Sequence, residues 1–263
     1  MNLKKLAMAA ALVCSAPAFA GLNPIGDDAE LFGIVWDENF GTYAIDFGVT
    51  ITQLASATTS FTLGTVGGAN WASYDAIDTD KADFAQFEGT RWAIFAVDEE
   101  GFNFIDGDLR WFGTSQGNVK PQPDNITLDS MNGSTGTGGI IGIFNNNGMG
   151  VDVAENTDLF AAKGTPAHFI EGTWNGSLGF FAGNAIGTTA DLFYCTNKDG
   201  FDPFGPAACG QFSTAGTMAN GRTGVSVSFD GQSFVAVVPE PGTYGLMAAG
   251  LAAVGFMARR RRA

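Results

Sequence analysis

The sequence predicts an all-β protein, a single β-sandwich or jelly-roll ectodomain over residues 21–238, and three features predict it. Short apolar runs alternate with period two, the signature of strands with one buried face. Asp-Gly and Asp/Asn-rich turns separate these runs at close intervals, as hairpins require. The 37 glycines, and the lack of any long helix-period segment before the C-terminal tail, weigh against helices. Many short strands with regular turns suit a sandwich or a jelly roll.

From Thr42 to Thr50 the apolar side chains Tyr43, Ile45, Phe47 and Val49 fall on one face, and Thr42, Ala44, Asp46 and Gly48 on the other. This is the pattern of a half-buried strand. Leu31 to Trp36 is a second strand, joined to the first through Asp37-Glu38-Asn39. Trp92–Val97 and Phe102–Ile105 flank an acidic turn at Asp98–Gly101, and Leu109–Phe112 follows Asp106-Gly107. Val225–Phe229 meets Ser233–Val238 across Asp230-Gly231, a short-range hairpin signal. Ser130–Gly150 is rich in Gly, Asn, Ser and Thr and reads as an exposed excursion of one domain, with a strand at Ile140–Phe144 inside it.

The two ends have a different design. Residues 1–20 open with Lys4 and Lys5, continue through an apolar run from Leu6 to Val13 and finish on Ala18-Phe19-Ala20. That order is a secretory signal peptide, with signal peptidase cutting after Ala20. A lipoprotein anchor at Cys14 is disfavoured, because Val13 stands where a small residue is wanted. Residues 239–263 follow Val238-Pro239-Glu240-Pro241 with an apolar stretch from Gly242 to Ala258 and then Arg259, Arg260, Arg261 and Arg262. Seventeen residues as a helix span about 25 Å, enough for one C-terminal transmembrane helix when long arginine side chains reach the interface. The arginines act as a cytoplasmic stop cluster by the positive-inside rule, so the chain between the hydrophobic segments lies outside the cytoplasm.

Motif, apolar helix, terminal arginines and signal peptide, in that order, resemble the PEP-CTERM sorting signal of Gram-negative bacteria. The resemblance implies an exosortase as processing partner, acting on a form anchored in the inner membrane and releasing the chain to the cell surface or the exterior. It covers about the last 25 residues and says nothing of the ectodomain. Proteins with this tail are often linked to exopolysaccharide and biofilm matrix.

Composition narrows the ectodomain. Of the 27 acids 26 lie within residues 21–238, against seven of the 13 bases, a formal charge of −19. Such a surface repels nucleic acid, which is not expected as a partner. The 23 Phe and five Trp supply too much apolar area for a disordered acidic chain. Cys195 and Cys209, the two cysteines left after signal removal, predict a disulfide in an exported protein.

Chemistry-bearing patterns are sparse. His168 is the only histidine, with no Gly-x-Ser-x-Gly elbow to accompany it, and it reads as structural. Asp98, Glu99 and Glu100 fall in a predicted turn, where a charged cluster is solvated, so a glycoside hydrolase is a remote alternative. Asp75, Asp78, Asp80 and Asp83, and separately Asp106 with Asp108, are oxygen-rich enough to raise calcium, although EF-hand spacing is absent. No other metal site and no cofactor is expected. The sequons at Asn125, Asn132 and Asn175 read as turn chemistry. Trp36, Trp92 and Trp111 lie in predicted strands and read as core, whereas Trp71 and Tyr74 occupy a looser segment and are the candidates for sugar stacking. The leading expectation is an exported surface or matrix protein without catalysis, a structural or exopolysaccharide-associated component; a carbohydrate-binding module, with or without calcium, is the second.

Overall fold

The computed structural model describes residues 29–37, 40–77, 90–99, 109–118, 120–132, 143–144, 158–168, 183–197, 202, 204–212 and 224–238. The signal segment with Ala18 and Ala20, and the tail from Pro239 through Glu240, Pro241 and Arg259 to Arg262, lie outside the described residues. The same holds for Phe102–Ile105 and most of Ser130–Gly150. Among the described residues no helix is long and apolar enough to cross a membrane.

Among the described residues eleven strands form one antiparallel sheet: β1 Glu30–Asp37, β2 Gly41–Thr50, β3 Phe61–Thr65, β4 Arg91–Glu99, β5 Leu109–Thr114, β6 Asp158–Ala162, β7 Asn184–Ala185, β8 Thr189–Thr196, β9 Ala208–Gln211, β10 Ser226–Phe229 and β11 Ser233–Val237. Their order is β3-β11-β10-β8-β5-β4-β1-β2-β6, with β7 beside β4 and β9 beside β8. The described residues also hold three short α-helices, α1 Ile51–Ser56, α2 Gly68–Ile77 and α3 Asn125–Asn132. The all-β class and the antiparallel pairing agree with the period-two pattern. The strands are joined by one continuous hydrogen-bonded path.

Strand β8 makes that continuity. Its first residues, Thr189–Asp191, pair with β10, and Leu192–Thr196 pair with β5. The halves on either side of β8 then pack against each other, because Phe234 of β11 meets Phe47 of β2 at 5.2 Å and Trp92 of β4 at 6.0 Å between ring centroids. Gly33 in β1 makes room for this contact. A Cβ there would stand 2.6 Å from the Phe47 ring and 3.1 Å from that of Phe234, so glycine is required by close approach.

The hairpin expected at residues 31–50 is present, with β1 and β2 in register from Phe32↔Asp46 to Asp37↔Gly41. The half-buried reading of β2 needs correction. Tyr43, Ile45 and Phe47 do share the apolar face toward β3, β10 and β11, but Thr42 and Asp46 on the other face are also buried. A second core explains this: Phe32, Ile34, Trp36, Ala44, Ala93, Phe95 and Trp111 turn to the opposite side, where Leu128 of α3, Ile143, Phe144 and Ala167 cover them. Ile143 and Phe144 are helical, not the end of a strand.

The Asp230-Gly231 signal marks the hairpin of β10 and β11, whose register includes Phe229↔Phe234. Gly231 adopts φ 97°, a conformation costly for a residue with a Cβ. Asp230 Oδ1 accepts from the backbone N–H of Ser233 at 2.7 Å and of Gln232 at 2.8 Å. These two bonds, Ser233 first, hold its carboxyl below the ordinary value of 3.8. The carboxylate is exposed, so we expect Asp230→Ala to cost only about 1 kcal/mol at pH 7. A lowered folded pKa contributes stability above the unfolded pKa and loses it as pH falls through the folded value. Urea titrations should therefore show the gap between wild type and variant closing as pH drops below 3.8. A gap that stays constant into strong acid would show that the charge is not the cap.

Candidate functional site

The aromatic pair singled out for sugar sits on α2, a helix where the sequence suggests looser chain. Trp71 and Tyr74, one helical turn apart, stack on each other with ring centroids 5.3 Å apart and planes at 25°. Tyr74 is buried and meets Phe160 edge-on, while half-buried Trp71 packs edge-on against Tyr43 at 5.0 Å. The rings face one another and the protein, so they do not form an exposed coplanar platform. Asn70 fixes the helix in place: its Nδ2 donates to the Asp158 backbone oxygen and to Asp158 Oδ1, both at 2.9 Å. The Tyr43 hydroxyl donates to Asp158 Oδ2 at 3.0 Å. Burial, and then the neighbouring Asp158 charge, push the Tyr43 pKa far above the tyrosine norm, so Tyr43 serves as a neutral donor.

The other residues raised by the sequence take structural places. His168 is fully buried, its Nδ1 3.2 Å from the Thr42 hydroxyl. Trp36, Trp92 and Trp111 are core, and Trp92 Nε1 donates to the Ala185 carbonyl at 2.8 Å. Asp98 and Glu99 lie within β4, opposite Arg110 and Leu109, and not in the expected turn. Asn125 is buried and its Nδ2 donates to the Asp202 carbonyl, a structural role for that sequon. Asp75 is exposed on α2, while Asp78, Asp80, Asp83, Glu100, Asp106, Asp108, Trp174 and Asn175 lie outside the described residues. Among the described residues no group of three or more His, Cys, Asp or Glu is placed to hold a metal ion.

Cys195 and Cys209 are disulfide-bonded, directly opposite each other in the β8–β9 ladder with Cα atoms 4.1 Å apart. Both are buried beside Trp111 in the second core. The loop they close docks on the start of α3, where the Asn125 N–H donates to the Gly205 carbonyl and the Ala207 N–H to that of Pro123, both at 3.0 Å. Closing a loop of about 15 residues is worth ~3 kcal/mol in the chain-entropy model. Replacing both cysteines with serine should lower the unfolding free energy by about that amount, read from urea midpoints. Free alkylation of both thiols in native exported protein would contradict the bond.

The last place where sequence and structure converge is the end of the domain. Strand β11 lies between β10 and β3, with Ser226↔Val237 and Ala236↔Phe61 in register. Val238 follows and is buried; its N–H donates to Ser60 Oγ at 3.1 Å, and the Ser60 hydroxyl lies 3.5 Å from its carbonyl oxygen. Ser60 is delivered there by α1. Thr50, the last residue of β2, caps that helix by accepting from the Gln53 N–H, Gln53 returns a bond to the Thr50 N–H, and Ile51 and Leu54 anchor it in the core. Sequence reasoning missed Ser60, because 178 positions separate it from Val238 and no local pattern joins them.

Residues 237–262 match the family model of the PEP-CTERM protein-sorting motif. The chain carries a PEP-CTERM sorting motif. Its match begins at Val237, the last residue of β11, so motif and folded domain overlap. PEP-CTERM motifs mark exported proteins that keep a C-terminal membrane anchor before processing. No curated protein and no solved structure matches the chain.

Proposed function

We propose that this protein is an exosortase-sorted component of the cell surface or extracellular matrix, whose acidic ectodomain acts as a structural or exopolysaccharide-associated element without catalysis. The observation that carries the reading is the PEP-CTERM motif at residues 237–262. The motif supports a route that begins with signal peptidase, passes through an inner-membrane intermediate and ends outside the cell. The ectodomain's contribution fits a structural part. Among the described residues most aromatic side chains go into two cores, Phe204 excepted, and His168 is enclosed beside Thr42. A charge of −19 over residues 21–238 keeps such a domain soluble and apart from anionic surfaces.

Location in the presence and absence of the processing enzyme tests the reading. An epitope placed after Gly21 should be found outside the cell in a host with the exosortase and in the inner membrane of the same host lacking it. Equal distribution in both hosts would remove the sorting step from the account. Turnover of a glycan by the purified ectodomain would remove the non-catalytic part.

A further inference from the structure

A protease must bring its catalytic groups within hydrogen-bond distance of the bond it cuts. The three residues Pro239 to Pro241 can span at most about 11 Å when extended. Any enzyme acting there therefore works within that distance of Ser60 and Val238. On the domain side of the motif no spacer exists: Pro239 follows a buried valine whose backbone N–H donates to the Ser60 hydroxyl, at the end of a strand paired on both sides.

We propose that the folded ectodomain restrains removal of its own sorting tail, through the Ser60 clamp on Val238, and that tail removal proceeds by detachment of Val238 from that clamp. The proposal rests on the sorting reading above and adds a rate-setting element to it. Detachment costs the burial of Val238 and its hydrogen bond to Ser60, whereas the rest of β11 stays paired with β10 and β3. The end of a strand opens locally at lower cost than its centre. The domain can therefore stay folded while the residues beside the motif enter the enzyme.

The test follows tail removal by pulse and chase, using the full chain in a host with the exosortase. Four chains are compared: wild type, Ser60→Ala, a variant with a short Gly-Ser spacer between Val238 and Pro239, and a variant with Pro239, Glu240 and Pro241 all replaced by alanine. The spacer variant should lose its tail several-fold faster than wild type. Ser60→Ala removes the clamp's hydrogen bond to the Val238 N–H and should accelerate removal by up to about five-fold. An unchanged or slower rate with the spacer overturns the proposal. A faster spacer variant with Ser60→Ala at the wild-type rate overturns the clamp and leaves only crowding. In both cases the sorting reading stands as long as the triple-alanine chain keeps its tail. If that chain is processed like wild type, the sorting reading itself fails and the restraint fails with it.

Discussion

Replacing Pro239, Glu240 and Pro241 together with alanine should trap the protein in the inner membrane, signal peptide removed and tail intact, while wild type reaches the exterior. The expected effect is close to all-or-none. The PEP-CTERM motif implies a C-terminal membrane anchor before processing, so export beyond the membrane should require that something cut the chain. Proline lacks an amide hydrogen and disfavours helix for the residue before it, so two prolines around Glu240 disfavour helix at the motif. Alanine, the best helix former, removes that constraint and the acidic group together. Truncation after Val238 should instead free the domain into the periplasm with no anchor. Fractionation followed by immunoblotting separates the three outcomes. Export of the alanine variant at wild-type efficiency would reduce the tail to an ordinary membrane anchor.

Phe234→Ala should be among the most damaging single substitutions in the ectodomain, costing about 4 kcal/mol of unfolding free energy. Phe234 is fully buried, stacks on Phe229 at 4.1 Å and contacts Phe47 and Trp92. It belongs to β11, yet two of its ring partners lie in β2 and β4, so it joins the two halves of the sheet. Truncation loses both the transfer free energy and the aromatic contacts, and leaves a cavity between halves that Gly33 lets approach closely. Since domains of this kind have only about 5–15 kcal/mol in hand, Phe234→Leu, expected to cost about 1.5 kcal/mol, keeps the measurement possible if the alanine variant fails to fold. Phe204→Ala serves as contrast. That ring is 78% exposed, and its removal should change stability by less than about 0.5 kcal/mol. Urea unfolding of the three variants gives the ranking; equal losses at positions 204 and 234 would contradict the packing described here.

What the sequence discloses about this fold is mostly what neighbouring residues decide together. The β1–β2 hairpin and the Asp230-Gly231 turn are readable because alternation and turn chemistry act over a few residues. The disulfide is readable because two cysteines in an exported chain leave one pairing. Burial of Thr42 and Asp46 is not readable from the local pattern, and the group that meets the Thr42 hydroxyl, His168, lies 126 positions away. Nor is α2, where Gly68-Ala69-Asn70-Trp71 has weak helical preference and is fixed by contacts to Asp158, Tyr43 and Phe160. The route through β8 is equally hidden, because one strand divides its pairing between β10 and β5. At the site, the motif is local and legible, and the Ser60 partner that holds its upstream edge is not.

The most direct test of the account is the intact mass of the protein recovered outside the cell from a host with the exosortase. The account predicts a chain that begins at Gly21, ends at or beside Pro239-Glu240-Pro241, and contains the Cys195–Cys209 disulfide but none of Arg259 to Arg262. Exported protein whose mass includes the arginine cluster would contradict it.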